Sequence, residues 1–281
     1  MELFYRIADV TLILVCDKKY SLPHMDKFQV DRMECEGDCL TITLLQNRDV
    51  TMMGVGLVSG DYVEVYETSD SYIYRYKSNQ ESIVAVHFKN DNQSEIYLDE
   101  RKAVDNEVLC ALRDAFLFHA PKMDRMAIHS ASLVYRDRAW LFAAPAGTGK
   151  TTHVNLWKEL EYPVSDLNGD MTICYRKNGV TMAAGSPWCG TSEIYENKVV
   201  PLGGILFLKR SKENDIQSVS RAEMVLNIVA RNFGPNWNSQ LLNRNFSLAE
   251  MLCEGMTGRI LLCNMDQRAA MVAKEYIDSV M

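Results

Sequence analysis

Along the first hundred residues apolar and polar positions alternate with a period of two. The runs Val10–Val15, 40–45, 62–66, 72–76, Ile83–Phe88 and 96–98 are short, and turn-rich pieces such as Thr68-Ser69-Asp70 and Asn90-Asp91-Asn92 separate them. A strand sends successive side chains to opposite faces, so this pattern predicts antiparallel hairpins in a β-rich N-terminal domain. The aromatic set Tyr62, Tyr66, Tyr72, Tyr74 and Tyr76 fits cross-strand and core packing in such a sheet. The spacing then lengthens. Val108, Leu112, Ala115 and Phe116 fall on one stripe of a helix over about 106–120, which Pro121 ends. That helix reads as a bridge, and we place the domain boundary at 104/105, giving a β-rich domain over 1–104 and a second domain over 105–281.

From residue 128 the pattern is mixed. A strand over 132–135, a turn at Arg136-Asp137-Arg138 and a strand over 140–144 lead into a glycine-rich loop and a helix over 151–160, stopped at Tyr162-Pro163. A hairpin over 172–175 and 180–183 turns at Asn178-Gly179, a pair that tolerates the positive φ of a tight hairpin. An apolar strand follows over 205–208. The capping boxes Ser220-x-x-Glu223 and Ser247-x-x-Glu250 announce later helices, and a last helix covers about 266–280. The expected fold class is a mixed α/β domain built around that glycine-rich loop and preceded by the β-rich domain.

Composition narrows the class. With 281 residues, 47% of them apolar, the chain buries enough surface for two cores. A formal charge of −7 and a pI of 5.3 argue against a nucleic-acid partner, which needs a basic face. The apolar stretch over 10–16 follows Glu2 and Asp9 without a basic leader and reads as a strand. No run approaches the roughly 20 apolar residues that cross a bilayer. The expectation is a soluble cytoplasmic protein with no membrane partner. Eight scattered cysteines lack paired metal-site spacing and read as reduced thiols; Cys35 and Cys39, the closest pair, flank a turn.

The chemistry concentrates at Ala144-Pro145-Ala146-Gly147-Thr148-Gly149-Lys150-Thr151-Thr152-His153. The string matches the phosphate-loop pattern G-x-x-x-x-G-K-[ST], except that Ala144 stands at the first glycine. Between a strand and a helix, the backbone N–H groups of such a loop form a concave nest, and the helix adds its unsatisfied first-turn donors. Residues Ala146 to Thr152 (Ala146, Gly147, Thr148, Gly149, Lys150, Thr151 and Thr152) are therefore assigned to a nucleotide triphosphate, with Lys150 on the β and γ oxygens and Thr151 on Mg²⁺.

Magnesium and a hydroxyl nucleophile both call for carboxylate. Asp170, where the chain enters the hairpin, is assigned as metal ligand or base, while Asp166 serves either a similar role or a turn. His129 precedes the strands that lead to the loop and is read as a partner of the γ-phosphate or as a structural histidine. His153 fits packing or capping. Gly185-Ser186-Pro187-Trp188-Cys189-Gly190 lines an acceptor pocket or anchors a loop, and Arg210 balances phosphate charge or ends a strand at the surface.

Taken together, His129-Ser130, the Gly-Thr-Gly-Lys-Thr-Thr loop and an aspartate about 20 residues later resemble the catalytic domain of the HPr kinase/phosphorylase family, over roughly 127–208. The related phosphoenolpyruvate carboxykinase family carries a similar loop. The resemblance implies ATP at the loop and roles for His129, Lys150, Thr151 and Asp170, with Asp170 as base for a serine hydroxyl. It also implies a homo-oligomer. The strings Leu167-Asn168-Gly169-Asp170 and Gly185 to Gly190 look still more like HPr-kinase-like proteins of bacterial peptide-maturation clusters, whose relatives include lasso-peptide kinases. The chain departs from HPr kinases at Gly169, where the family has the first of two aspartates, and in its β-rich N-terminal half.

Three functions stay open at this level. The first is a kinase moving the γ-phosphoryl group of ATP to a hydroxyl of a peptide, a protein or a small molecule. The second is a non-catalytic nucleotide-binding regulator or scaffold, and the third a carboxykinase-like enzyme.

Overall fold

The computed structural model describes residues 1–34, 37–46, 54–77, 83–99, 105–256 and 258–281. It is mixed α/β and divides into two compact units, Met1–Met123 with Pro235–Ser239, and Asp124–Gly234 with Gln240–Met281. Cys35 and the stretch 100–104, which the expected domain boundary closes, lie outside the described residues. Among the described residues no helix is long and apolar enough to cross a membrane.

Among the described residues the first unit holds nine strands: β1 (Glu2–Ile7), β2 (Val10–Val15), β3 (Gln29–Val30), β4 (Cys39–Gln46), β5 (Val55–Ser59), β6 (Val63–Glu67), β7 (Ser71–Tyr76), β8 (Ile83–Phe88) and β9 (Gln93–Leu98). They form one sheet in the order β3-β1-β2-β4-β9-β8-β7-β6-β5. The hairpin expectation holds from β5 to β9, but β4 runs parallel to both β2 and β9. Alternation specifies a strand and its inward face; it carries no information on partner direction, which here follows from longer connections. A single turn, α1 (Pro23–Asp26), lies in one connection, and α2 (Asp105–His119) packs on β8 and β4 through Val108, Leu112, Ala115 and Phe116. Tyr72 and Tyr74 are buried as expected, whereas Tyr62 is exposed.

A polar wire crosses this core. Lys122 Nζ lies 3.2 Å from His119 Nδ1, His119 Nε2 lies 2.9 Å from Ser94 Oγ, and Ser94 Oγ lies 2.8 Å from His87 Nδ1. An ammonium only donates, so His119 accepts at Nδ1 and donates at Nε2, and the Ser94 hydroxyl passes its proton on to His87. Both rings are fully buried, and that burial holds His87 at about 3 and His119 at about 2.

In the second unit the strands are β10 (Arg125–Tyr135), β11 (Arg138–Ala143), β12 (Val164–Asn168), β13 (Met171–Lys177), β14 (Val180–Ala184), β15 (Val199–Arg210), β16 (Asp215–Ser218) and β17 (Gly258–Cys263). The helices are α3 (Lys150–Glu159), α4 (Arg221–Val229), α5 (Ser239–Leu252) and α6 (Gln267–Val280). The order is β11-β10-β13-β14-β15-β17-β16, with β12 against β10 and a further parallel pairing of β11 with β15. The hairpin at Asn178-Gly179 forms as read, with positive φ at both residues.

Strand β11 explains its own unbroken apolar run. Ala139, Leu141 and Ala143 face a core with Ile205, Phe207 and Ile228, while Trp140, Phe142 and the following Ala144 face a second core with Trp157, Leu261 and Ile277. A strand covered on both faces has no polar side to show. Each such large side chain contributes roughly 1.5–3 kcal/mol by leaving water, so the strand end that carries the loop is firmly seated. Ser220 and Glu223 form the expected capping box of α4. Ser247 does not begin a helix: it lies within α5 and bonds back to Asn243 O at 3.1 Å. The stripe Asn245, Leu248, Ala249 and Leu252 is buried, and this packing overrides the local capping signal.

Candidate active site

The loop leaves β11 at Ala144 and enters α3 at Lys150. Gly147 has φ +70° and Gly149, the residue before the helix, φ +112°, values that a side chain at Cβ disfavours. Ala144 has no positive φ and is fully buried against Trp140 and Phe142, so the position where the motif has glycine needs none here. Among the described residues, the backbone N–H groups of Ala146, Gly147, Gly149, Lys150, Thr151 and Thr152 have no acceptor. Six donors opening on one hollow form a cradle for an anion with several oxygens.

Lys150 is 8% exposed, and its Nζ donates to His129 Nε2 at 2.7 Å and to Ala144 O at 3.2 Å. Burial lowers its pKa and Arg231 pushes the same way, while Asp170 opposes. His129 stands on β10 opposite Met171 of β13, its N–H bonded to Arg231 O at 2.7 Å and its ring 4.9 Å from that of Phe233. Asp170 Oδ1 is 3.1 Å from the same His129 Nε2 that Lys150 occupies. One imidazole nitrogen thus sits between an ammonium and a carboxylate. While Lys150 donates to it, Nε2 holds no proton; once the Lys150 hydrogens turn to an incoming anion, Nε2 is free to carry one and donate it.

The turn carrying Asp170 is built from residues outside the motif. Asn168 Oδ1 accepts from Asp170 N at 2.8 Å and Met171 N at 2.6 Å, and its Nδ2 donates to Ser186 O at 2.9 Å. Ser186 Oγ donates to Met171 O at 2.7 Å. A Cβ on Gly169 would stand 1.8 Å from Ser192 Oγ and 2.5 Å from Ser192 Cβ. The site therefore has one carboxylate at this turn, because Ser192 fills the space of a second. Gly190, at φ +61°, backs directly on the Asp170 side chain.

These groups meet at a cavity of about 410 Å³, which His129, Lys150, Thr151, Thr152 and Asp170 line together with Ala146, Gly147, Gly149, Cys189 and Ser192. Thr148 turns instead to two flanking cavities. One of these, of about 440 Å³, lies against Gly149, Thr152, His153 and Met265. Thr151 and Asp170, the assigned magnesium ligands, share the central cavity; their oxygens are of the hard type that magnesium takes.

Asp166 pairs with Lys158 at 2.7 Å and lines none of these cavities. His153 is buried beside Phe142, accepts from Trp157 Nε1 at 3.3 Å, and is held at about 3 by burial. Trp188 is buried, and burial raises the Cys189 thiol. Arg210 reaches back to the carbonyls of Gly147 and Thr148 and lines the central cavity. Ser192, Arg231 and Asn168 carry structural weight that the sequence reading did not assign to them, and of these only Asn168, as the first residue of Asn-Gly-Asp, carries a local turn signal; Ser186 lies in the string Gly185 to Gly190, and its bonds to Asn168 and Met171 fit the loop-anchoring alternative.

No family model matches the chain, and no curated protein matches it. Among solved structures it is similar to the HPr(Ser) kinase/phosphatase from Coxiella burnetii, with a TM-score of 0.32 and 8% identity over 54% of this chain and 97% of that one.

Proposed function

We propose that the second unit is an ATP-dependent kinase that transfers the γ-phosphoryl group to a hydroxyl. The observation that carries this reading is the set of six unpartnered loop N–H donors beside a buried Lys150 that has no carboxylate ion pair among the described residues. A polyphosphate satisfies all of them at once, and each hydrogen bond to a charged group is worth about 1.5–3 kcal/mol. The cavity beside Thr152 and Met265 has room for the nucleoside.

In this reading Lys150 turns from His129 to the β and γ oxygens. Thr151 and Asp170 would hold Mg²⁺, which when bound neutralises the negative charge that builds on those oxygens. His129 Nε2, released by Lys150, carries a proton and donates to a γ oxygen, which orients the group. Asp170 accepts the acceptor's hydroxyl proton as the new oxygen–phosphorus bond forms, the bond from phosphorus to the bridging oxygen breaks, and ADP leaves. Cys189 and Ser192 face the space where the acceptor would approach.

The test is ATP-dependent ADP release and phosphate incorporation with a panel of seryl and threonyl peptides and small alcohols, for wild type and Asp170→Asn. Transfer that falls at least 100-fold in the variant supports the kinase. Tight ATP binding with no transfer to any acceptor by the wild type favours the nucleotide-binding scaffold, which the single carboxylate left by Gly169 would suit.

A further inference from the structure

A cavity of about 390 Å³ flanks the loop on its other side, and its lining is cationic. Lys209, Arg210 and Arg231 border it together with Ala146, Gly147 and Asn227, and no acidic side chain of the described residues is in the lining. In a chain with a net charge of −7 this is a local arrangement. Arg231 is partly buried; its Nε is enclosed and has no acceptor among the described residues, and its Nη1 reaches only the neighbouring carbonyl of Ala230 at 3.1 Å. A buried guanidinium nitrogen without an acceptor is costly, and three cations around one hollow repel one another. An anion entering the hollow relieves the mutual repulsion of the three cations.

Position says which anion. This cavity shares Ala146, Gly147 and Arg210 with the central one, whereas the space for the nucleoside opens beside Thr152 and Met265. It therefore adjoins the start of the loop at Pro145 and Ala146, which the space for the nucleoside does not touch, although the two share Thr148 and Arg210. Arg231 is also tied to the reacting centre, since its carbonyl holds the His129 N–H.

We propose that this cavity is a second anion site, which takes a carboxylate or phosphate group carried by the acceptor close to the hydroxyl that is phosphorylated. The assignment rests on the kinase reading and narrows its substrate class to anionic acceptors. Arg231 grips the group, Lys209 adds charge at the rim, and Arg210 holds the loop between the two sites. The charged pairs fix the acceptor's orientation, because planar guanidinium groups recognise carboxylate and phosphate oxygens in pairs.

The experiment uses the full chain saturated with Mg²⁺ and the non-hydrolysable β,γ-imido analogue of ATP. Inorganic phosphate, N-acetylserine and N-acetylserine methylamide are then titrated by calorimetry. Saturable binding of phosphate, of N-acetylserine or of both, with none of the neutral amide, is expected; phosphate alone points to a phosphorylated acceptor, and N-acetylserine to a carboxylate. Arg231→Gln and the surface variant Lys209→Gln should each weaken that binding at least tenfold, with nucleotide saturation verified in every protein. If neither anion binds the nucleotide-loaded chain, or both variants bind it as the wild type does, the second site is wrong while the kinase reading stands. If the analogue itself fails to bind, the kinase reading is the one that fails, and this assignment goes with it.

Discussion

Replacing Gly169 by alanine puts a methyl group where Ser192 already is. The added carbon would stand 1.8 Å from Ser192 Oγ, 2.5 Å from Ser192 Cβ and 3.3 Å from Ile194 Cβ. Ser192 cannot swing aside freely, because its hydroxyl donates to Cys189 O at 2.7 Å and accepts from Ile194 N at 3.2 Å. Overpacking of this kind costs about 1–3 kcal/mol, and losing the two hydrogen bonds adds roughly 1 kcal/mol each. The expected loss is about 3–5 kcal/mol, read from urea unfolding followed by tryptophan fluorescence. Ser192→Gly removes both close atoms, so in its background the same substitution should cost at least about 1 kcal/mol less. A stability change below about 0.5 kcal/mol, or a double variant no better than the sum of the singles, would refute the steric account of why Asp170 stands alone at this turn.

Acid should act on both units through their buried histidines. His87 and His119 in the first unit and His153 in the second are held at about 3, about 2 and about 3, below the ordinary value of 6.5. Below that value the unfolded chain binds protons that the folded one refuses, so stability is full above it, falls as pH drops, and levels off only near the folded values. Between pH 6.5 and 5.5 each histidine removes about 1 kcal/mol, so hydrogen-exchange protection in β8 should fall about twice as steeply as in β13. Equal slopes in the two strands would contradict the burial account. Lys150→Met should weaken triphosphate binding by about 10–150-fold, the equivalent of one charge-assisted hydrogen bond. The same change removes a desolvated ammonium, so the urea midpoint of the ligand-free protein should not fall; a clear drop would mean that Lys150 serves the fold.

What was legible in the sequence was whatever is encoded locally. The loop string places Gly147, Gly149 and Lys150 because two left-handed backbone positions and a helix start leave a fixed spacing. The turn at Asn178-Gly179 and the capping box at Ser220 are similarly short-range. Direction and partnership were not legible. Nothing in the alternation of 40–45 tells that β4 runs parallel to its neighbours, and the box at Ser247 reads as a helix start although the buried stripe extends α5 across it. At the site, His129, Lys150 and Asp170 meet as their separate motifs suggested. Arg231 and Ser192 come to it from segments with no motif at all, through long-range pairing and steric fit.

The most direct test of the account is calorimetric titration of the full chain with the β,γ-imido analogue of ATP in millimolar Mg²⁺. The account predicts a saturable isotherm with one nucleotide per chain, strongly weakened by Lys150→Met. An isotherm with no binding up to millimolar nucleotide, or one indifferent to that substitution, would contradict it.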